Sequence, residues 1–205
     1  MIIDVQHVEI DVEEGPMPES EPEPAENTDD DGLLFGCVLD GKGGARTIGW
    51  SDLENWTADD GPLWVHFDHN STRVQNWIRH ESGLTAPTAE AMLADETRPR
   101  VFRGKRGVVA ILRGVNTNPG SQPDDMVAMR MWSDGKRVFT VRHFKLIAPR
   151  DIFSQLTEYE NGPATAAQLY ERLIGRLTDR MAGTVASYDE RLDEIEAGID
   201  ISNAA

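Results

Sequence analysis

The spacing of hydrophobic residues divides the chain into short segments of strand type and segments of helical type. Short apolar runs bounded by turn residues predict strands, and they lie at 33–39, 45–50, 63–68, 108–115, 126–132 and 138–142. Apolar residues three or four positions apart predict helices, and they lie at 72–81, 85–94, 149–157 and 164–199.

The order of these segments predicts the fold class. A strand followed by a helix, as at 63–68 and 72–81, is typical of an α/β domain. The first two runs flank Gly41-Lys42-Gly43-Gly44 and predict a hairpin. Ser51 and Glu54 form a capping-box pattern for a short helix after it. The three runs between 108 and 142 have no helix between them, which indicates antiparallel pairing. We predict an α/β fold with a mixed, largely antiparallel sheet packed with helices (αβα), followed by a long C-terminal helix.

The last helical segment is longer than a domain of this size needs. Its 36 residues, 164–199, would span about 54 Å at about 1.5 Å per residue. Its apolar stripe consists of Ile174, Leu177, Met181, Val185, Tyr188, Leu192, Ile195 and Ile199. We therefore expect part of the stripe to contact a partner outside the α/β body.

Charge divides the chain further. The net charge is −16 over 205 residues, but residues 1–31 hold twelve acids and no Lys or Arg. This proline-rich acidic composition predicts a weakly ordered tail, although Val8, Ile10 and Val12 alternate with acids as in an edge strand. We expect three parts: the tail at 1–31, an α/β domain at 32–163, and the long helix at 164–205.

Composition and motifs exclude several classes of protein. Cys37 is the only cysteine, so neither a disulfide nor a thiolate zinc site can form within the chain, and a reducing compartment fits best. The longest purely apolar run, 108–112, is far shorter than the roughly 20 residues of a membrane-spanning helix. The chain contains no G-x-S-x-G, Walker or dinucleotide motif, so we predict that it is not an enzyme.

Several sequence blocks, in this order, resemble one known family. They are Leu63-Trp64-Val65-His66-Phe67-Asp68, then 84–101 with Glu90, Leu93 and Arg98-Pro99-Arg100, then 108–115, Val138-Phe139-Thr140-Val141-Arg142, and Gly162-Pro163 before the long helix. Together they resemble the N-terminal cytosolic domain of CorA-type metal-ion transporters. The segment 94–100 and Gly162-Pro163 resemble the zinc-transporting ZntB-type branch, whereas Glu90-Ala91 departs from the Glu-Asp of the magnesium branch.

The resemblance implies a function and a setting. It implies the cytoplasmic domain of an inner-membrane transporter of zinc or another divalent cation, with an assembly and regulatory role. The parent protein would be a homo-oligomer, a pentamer, whose membrane helices follow Ala205. The helix from 164 would be an outer one that pairs with a returning helix. For this fragment alone we expect self-association as a dimer.

Two groups of residues are candidate metal ligands, although no cofactor is required by the resemblance. Asp189, Asp193, Glu194 and Glu196 lie on the long helix, where a divalent cation such as Mg²⁺ or Zn²⁺ would relieve like-charge repulsion. A solvated acidic face is the alternative.

The second group is His66, Asp68 and His69, at the end of an apolar strand. Such a cluster is how a metal-dependent hydrolase holds zinc, and this is the alternative function. However, Trp64 occupies the first ligand position of that pattern. The competing interpretation is that Val65 and Phe67 point into the core while His66 and Asp68 face polar surroundings.

One basic cluster is present, at Arg98, Arg100, Arg103, Lys105 and Arg106. No known nucleic-acid-binding motif accompanies it, so we expect pairing with nearby acids and no nucleic-acid partner.

Overall fold

The computed structural model describes residues 31–95, 98–116, 118, 120–121 and 126–203, with the side chains of 187, 194 and 196–203 outside that description. The strands are β1 (Leu33–Leu39), β2 (Ala45–Thr47), β3 (Leu63–Asp68), β4 (Arg100–Gly104), β5 (Gly107–Val115), β6 (Met126–Ser133) and β7 (Arg137–Arg142). The helices are α1 (Trp50–Asn55), α2 (Thr72–His80), α3 (Ala86–Leu93), α4 (Ile147–Thr157) and α5 (Ala166–Asn203). The predicted tail, including its alternating segment at 8–12, lies outside the described residues except for Asp31.

The described strands form one sheet in the order β2-β1-β3-β7-β6-β5-β4. β3 and β7 are parallel, from Leu63 opposite Arg137 to Asp68 opposite Arg142. The other described pairs are antiparallel. The prediction of a mixed, largely antiparallel sheet is confirmed. Because β3 and β7 run in the same direction, the residues that follow them emerge at the same end of the sheet.

Helices cover both faces of this sheet. On one face, Phe67 and Phe139 contact Trp77 of α2, with ring centroids 5.3 Å apart in both pairs. On the other face, Trp64 packs in a cluster that includes Leu156 of α4 and residues of α5. β3 therefore lies between two apolar layers, which explains why its sequence is a continuous apolar run and does not alternate.

The prediction that His66 faces polar surroundings is wrong. Its side chain is only 2% exposed and its ring stacks on Phe35 at 4.8 Å. Its Nδ1 lies 2.8 Å from Oγ1 of Thr140. Burial lowers the pKa of His66 well below its ordinary value, and the charge of Arg142 lowers it further. The layer of α4 and α5 covers the side of β3 that was expected to be polar.

Two local predictions also need correction. The capping box expected at Ser51 and Glu54 is displaced, because α1 begins at Trp50 and the Asp52 carboxylate accepts from Gly49 N at 3.1 Å. The earlier start buries Trp50 beside Phe67, with ring centroids 5.6 Å apart. The second correction is β4, an edge strand within the basic cluster that the hydrophobic pattern did not indicate. Its exposed charges are typical of a sheet edge.

The long helix is confirmed as α5. Its first turns pack on the sheet through Ala166, Leu169, Leu173 and Leu177, all buried. Beyond them the apolar stripe is exposed at Val185, Tyr188, Leu192 and Ile195. Across the described part of the chain, no helix is both long enough and apolar enough to cross a bilayer.

Candidate metal centre and the adjacent arginine pocket

Two histidines meet where the parallel strands β3 and β7 end. His69 follows β3 directly and His143 follows β7 directly. The backbone N–H of His69 donates to Arg142 O at 2.8 Å, which continues the pairing by one residue beyond the strands. The two imidazole rings consequently lie face to face, with centroids 3.6 Å apart and planes tilted by 33°.

A carboxylate from the segment after α3 completes the group. Asp95 Oδ1 lies 4.0 Å from His69 Nε2 and 3.9 Å from His143 Nε2. Backbone contacts hold this segment against the sheet: His69 Nε2 donates to Leu93 O at 2.8 Å, and Arg130 Nη2 donates to the carbonyl oxygens of Ala94 and Asp95. Potential ligand atoms of His69, Asp95 and His143 all lie within 4.8 Å of one another.

The surroundings keep His143 in the form that binds metals. Desolvation lowers the pKa of His143, as do the charges of His69 and Arg130, while Asp95 and Asp68 oppose the shift. The lowered pKa favours the neutral imidazole of His143. A neutral imidazole has a free lone pair to offer a metal ion.

Two imidazoles and a carboxylate are a ligand set suited to Zn²⁺. Two ligand atoms that each lie about 2.0–2.2 Å from a tetrahedral zinc ion are about 3.3 Å from each other. The observed separations of 3.9 and 4.0 Å between Asp95 and the two histidines therefore require a closure of about 0.6–0.7 Å. The Asp95 side chain is 89% exposed and can move, whereas His69 Nε2 would exchange its hydrogen bond to Leu93 O for a bond to the metal.

A strongly basic cavity of about 590 Å³ adjoins this group. We call it the arginine pocket, and it is lined by Arg98, Arg100, Arg113, Arg130, His143 and Asp95, with Met126, Val127, Ala128 and Phe144. The Arg130 side chain is fully buried, and its Nε and Nη1 have no hydrogen-bond partner among the described residues. Four arginines and a single acidic residue are thus among the described residues that line the pocket.

The structure separates the residues of the predicted hydrolase site. Successive side chains of a strand point to opposite faces, so the odd separation between His66 and His69 places them on opposite sides of the sheet. His66 packs with Phe35, whereas His69 contacts Leu93 after α3. Asp68 Oδ1 accepts from Asn70 N at 2.8 Å and shapes the turn. The described residues do not bring the three together as metal ligands, so the hydrolase alternative finds no support in this geometry.

The acidic face of α5 stays a prediction. Asp189 and Asp193 are exposed, and the side chains of Glu194 and Glu196 lie outside the described residues. Within the described part, no group of three metal-ligating side chains forms on this helix.

The hydrophobic pattern did not predict Asp95 and His143 as site residues. They come from segments 26 and 74 residues away from His69, and no spacing motif links them. One signal was available: both histidines directly follow predicted strands, and strand ends that meet at one end of a sheet commonly form sites.

Comparison with known proteins finds relatives of this chain. A family model described as "CorA-like Mg2+ transporter protein" matches residues 59–205. The divalent cation transporter CmaX of Pseudomonas aeruginosa is 34% identical over 182 residues, which cover 88% of this chain and 54% of CmaX. The zinc transport protein ZntB of Klebsiella pneumoniae is 28% identical over 163 residues, which cover 80% of this chain and 49% of ZntB.

Solved structures agree with these matches. The structure of the full-length CmaX protein superposes with a TM-score of 0.77 at 35% identity, covering 83% of this chain and 53% of CmaX. The ZntB cytoplasmic domain of Vibrio parahaemolyticus superposes with a TM-score of 0.67 at 20% identity, covering 80% and 64% of the two chains, which shows a shared fold. The chain spans about half the length of the curated relatives that it matches.

Proposed function

The chain belongs to the CorA-like Mg²⁺ transporter protein family, and on that premise we propose that it is the cytosolic domain of a zinc-transporting membrane protein. The relatives named as a divalent cation transporter and as zinc transport proteins support transport of a divalent cation. The fold shared with a ZntB cytoplasmic domain supports the placement of this part on the cytoplasmic side. The domain's own role in this proposal is assembly and regulation, without catalysis.

The single observation that carries a regulatory role for zinc is the grouping of His69, Asp95 and His143. Imidazole and carboxylate ligands suit Zn²⁺, whereas Mg²⁺ prefers a shell of oxygen ligands and water. The transported ion itself would be the ligand of this site. A site that binds zinc but not magnesium would report the concentration of the transported ion to the domain.

Zinc binding would also connect three elements of the fold. His69 directly follows β3, His143 directly follows β7, and Asp95 lies in the segment after α3. Closing these ligands around an ion would draw the Asp95 carboxylate inward and hold that segment more firmly on the end of the sheet. This is a local change of position through which metal binding would act on the rest of the protein.

The exposed stripe of α5 supports the assembly role. Val185, Tyr188, Leu192 and Ile195 lie on the half of the helix that extends beyond the buried contacts of Leu173 and Leu177. In the parent protein we propose that this stripe is covered within a homo-oligomer, a pentamer, and that further helices carry the protein into the membrane.

Transport itself is tested with the full-length parent protein in liposomes that contain a zinc-sensitive dye. We expect zinc flux that depends on the protein. If Zn²⁺ does not move across the membrane, the proposed zinc transport is wrong.

The regulatory site is tested separately on the 205-residue chain by calorimetric titration with zinc chloride after treatment with a chelator. We expect His143→Ala and His69→Ala to weaken zinc binding at least tenfold. His80→Ala is the matched control, because His80 is exposed at the end of α2 and outside the group. Millimolar Mg²⁺ should not displace the zinc. Equal zinc affinity in the wild type and both site variants would contradict a site at these residues.

A further inference from the structure

We propose that the arginine pocket binds the phosphate group of a small ligand, either free phosphate or a phosphate monoester carried by an organic molecule. The observation behind this proposal is the buried guanidinium of Arg130 in a cavity lined by three further arginines. The proposal does not depend on the transport function or on zinc binding at the neighbouring histidines.

Arg130 has more hydrogen-bond donors than its surroundings use. It extends from β6 on the face covered by α3, and its Nη2 donates to the carbonyl oxygens of Ala94 and Asp95. Its Nε and Nη1 are buried and have no partner within the described residues. Buried donors are nearly always paired, so a fully buried guanidinium with two unpaired nitrogens indicates an acceptor that binds there.

The charge of the pocket selects an anion. Arg98 and Arg100 are exposed where they line the pocket, and Asp95 is the one acidic residue among its described lining residues. Arg113 also lines the pocket and donates a hydrogen bond to Met126 O at 2.9 Å. Its contribution to anion binding is the positive charge of its side chain. Several guanidinium groups around one cavity are the usual protein environment for a phosphate group.

The number and directions of the donors favour phosphate over simpler anions. Arg130, Arg100 and Arg98 line the cavity from three different parts of the chain: β6, β4 and the segment before β4. A tetrahedral phosphate has several acceptor oxygens that can meet donors from several directions, whereas chloride is a single centre and a carboxylate offers two oxygens.

The size of the cavity allows more than a phosphate ion. At about 590 Å³ it lies in the range of small-molecule sites. Met126, Val127 and Ala128 supply an apolar part of the wall, and Phe144, 61% exposed, stands at the edge of the cavity. This apolar side would contact the organic part of a phosphate monoester, and a planar base could stack on Phe144.

The test is calorimetric titration of the chelator-treated chain with sodium phosphate and with adenosine monophosphate, at constant ionic strength maintained with sodium chloride. We expect saturable binding that the double variant Arg98→Ala, Arg100→Ala weakens at least tenfold. These side chains are exposed, so the variant should fold. The variant Arg103→Ala, Lys105→Ala is the control, because it removes the same charge from exposed positions outside the pocket and should bind as the wild type does.

Each outcome decides a part of the proposal. Tenfold tighter binding of adenosine monophosphate than of phosphate identifies an organic phosphate as the ligand, and equal affinity identifies free phosphate. Arg130→Lys, which keeps the charge but removes the guanidinium donors, should also weaken binding. Either of two results overturns the proposal. One is a heat of phosphate binding no larger than that of a titration with sodium chloride, and the other is equal binding by the wild type and the Arg98, Arg100 variant.

Discussion

The exposed stripe of α5 leads to a prediction about self-association that can be given a magnitude. Val185, Tyr188, Leu192 and Ile195 are 57%, 40%, 55% and 58% exposed. Complete burial of such a side chain contributes about 1.5–3 kcal/mol, so covering the exposed half contributes about 0.8–1.5 kcal/mol per residue. Four residues in each of two copies then contribute about 6–12 kcal/mol.

This gain must offset the cost of association, about 4–15 kcal/mol in lost freedom of motion. The two magnitudes are comparable, and the gain exceeds the cost by at most about 8 kcal/mol, so we expect a weak dimer whose dissociation constant is no tighter than about 1 µM. Leu192→Glu with Ile195→Glu would place two carboxylates in the contact and remove two of its apolar side chains. We therefore expect this variant to be a monomer.

Sedimentation velocity over a concentration series measures the result, with circular dichroism to confirm that the variant is folded. The matched control is Ala182→Glu with Ala186→Glu, which adds the same charge to exposed positions about a quarter to a third of a turn away from the stripe. The control should dimerise as the wild type does. Persistent dimers in the Leu192, Ile195 variant would refute the reasoning and would place the interface on the α/β body.

Three further predictions concern stability. Deleting residues 1–30 should leave the melting temperature nearly unchanged, because their acidic, proline-rich composition favours little packing, and a decrease of more than about 5 °C in a thermal scan would contradict this. His66 is buried with its pKa well below the ordinary value of 6.5, so the unfolded state takes up the proton first and stability falls as the pH decreases below about 6.5. Urea titrations should show the wild type losing up to about 1.4 kcal/mol per pH unit there, a slope that His66→Gln should reduce. Gly61→Ala should destabilise the fold by about 1–3 kcal/mol, because Gly61 has φ +111° and a Cβ would lie 2.7 Å from Leu39 O. Gly41→Ala is its control, since Gly41 also has a positive φ but no atom lies within 4 Å of its Cβ position, and equal losses would show that backbone conformation alone decides the effect.

The sequence by itself determined the elements and the class of the fold. Helices and strands each bury apolar residues at a characteristic spacing, and this spacing can be read from the sequence. For this reason β3, the strands from β5 to β7 and the helix α5 were predicted within a few residues. The unpartnered stripe of α5 was predictable for the same reason. The stripe is exposed because the helical segment is longer than the α/β domain that it packs against, and both lengths can be read from the sequence.

The candidate site was decided by the tertiary structure. His69, Asp95 and His143 are far apart in the sequence, and only the parallel pairing of β3 with β7 and the position of α3 bring them together. The same holds for the pocket around Arg130. The continuous apolar run of β3 favours a strand that is covered on both faces, but the polar residue type of His66 favoured an exposed position, and the packing of α4 and α5 decided its burial. Burial and proximity depend on which elements pack against each other, and that choice is made by the whole chain at once.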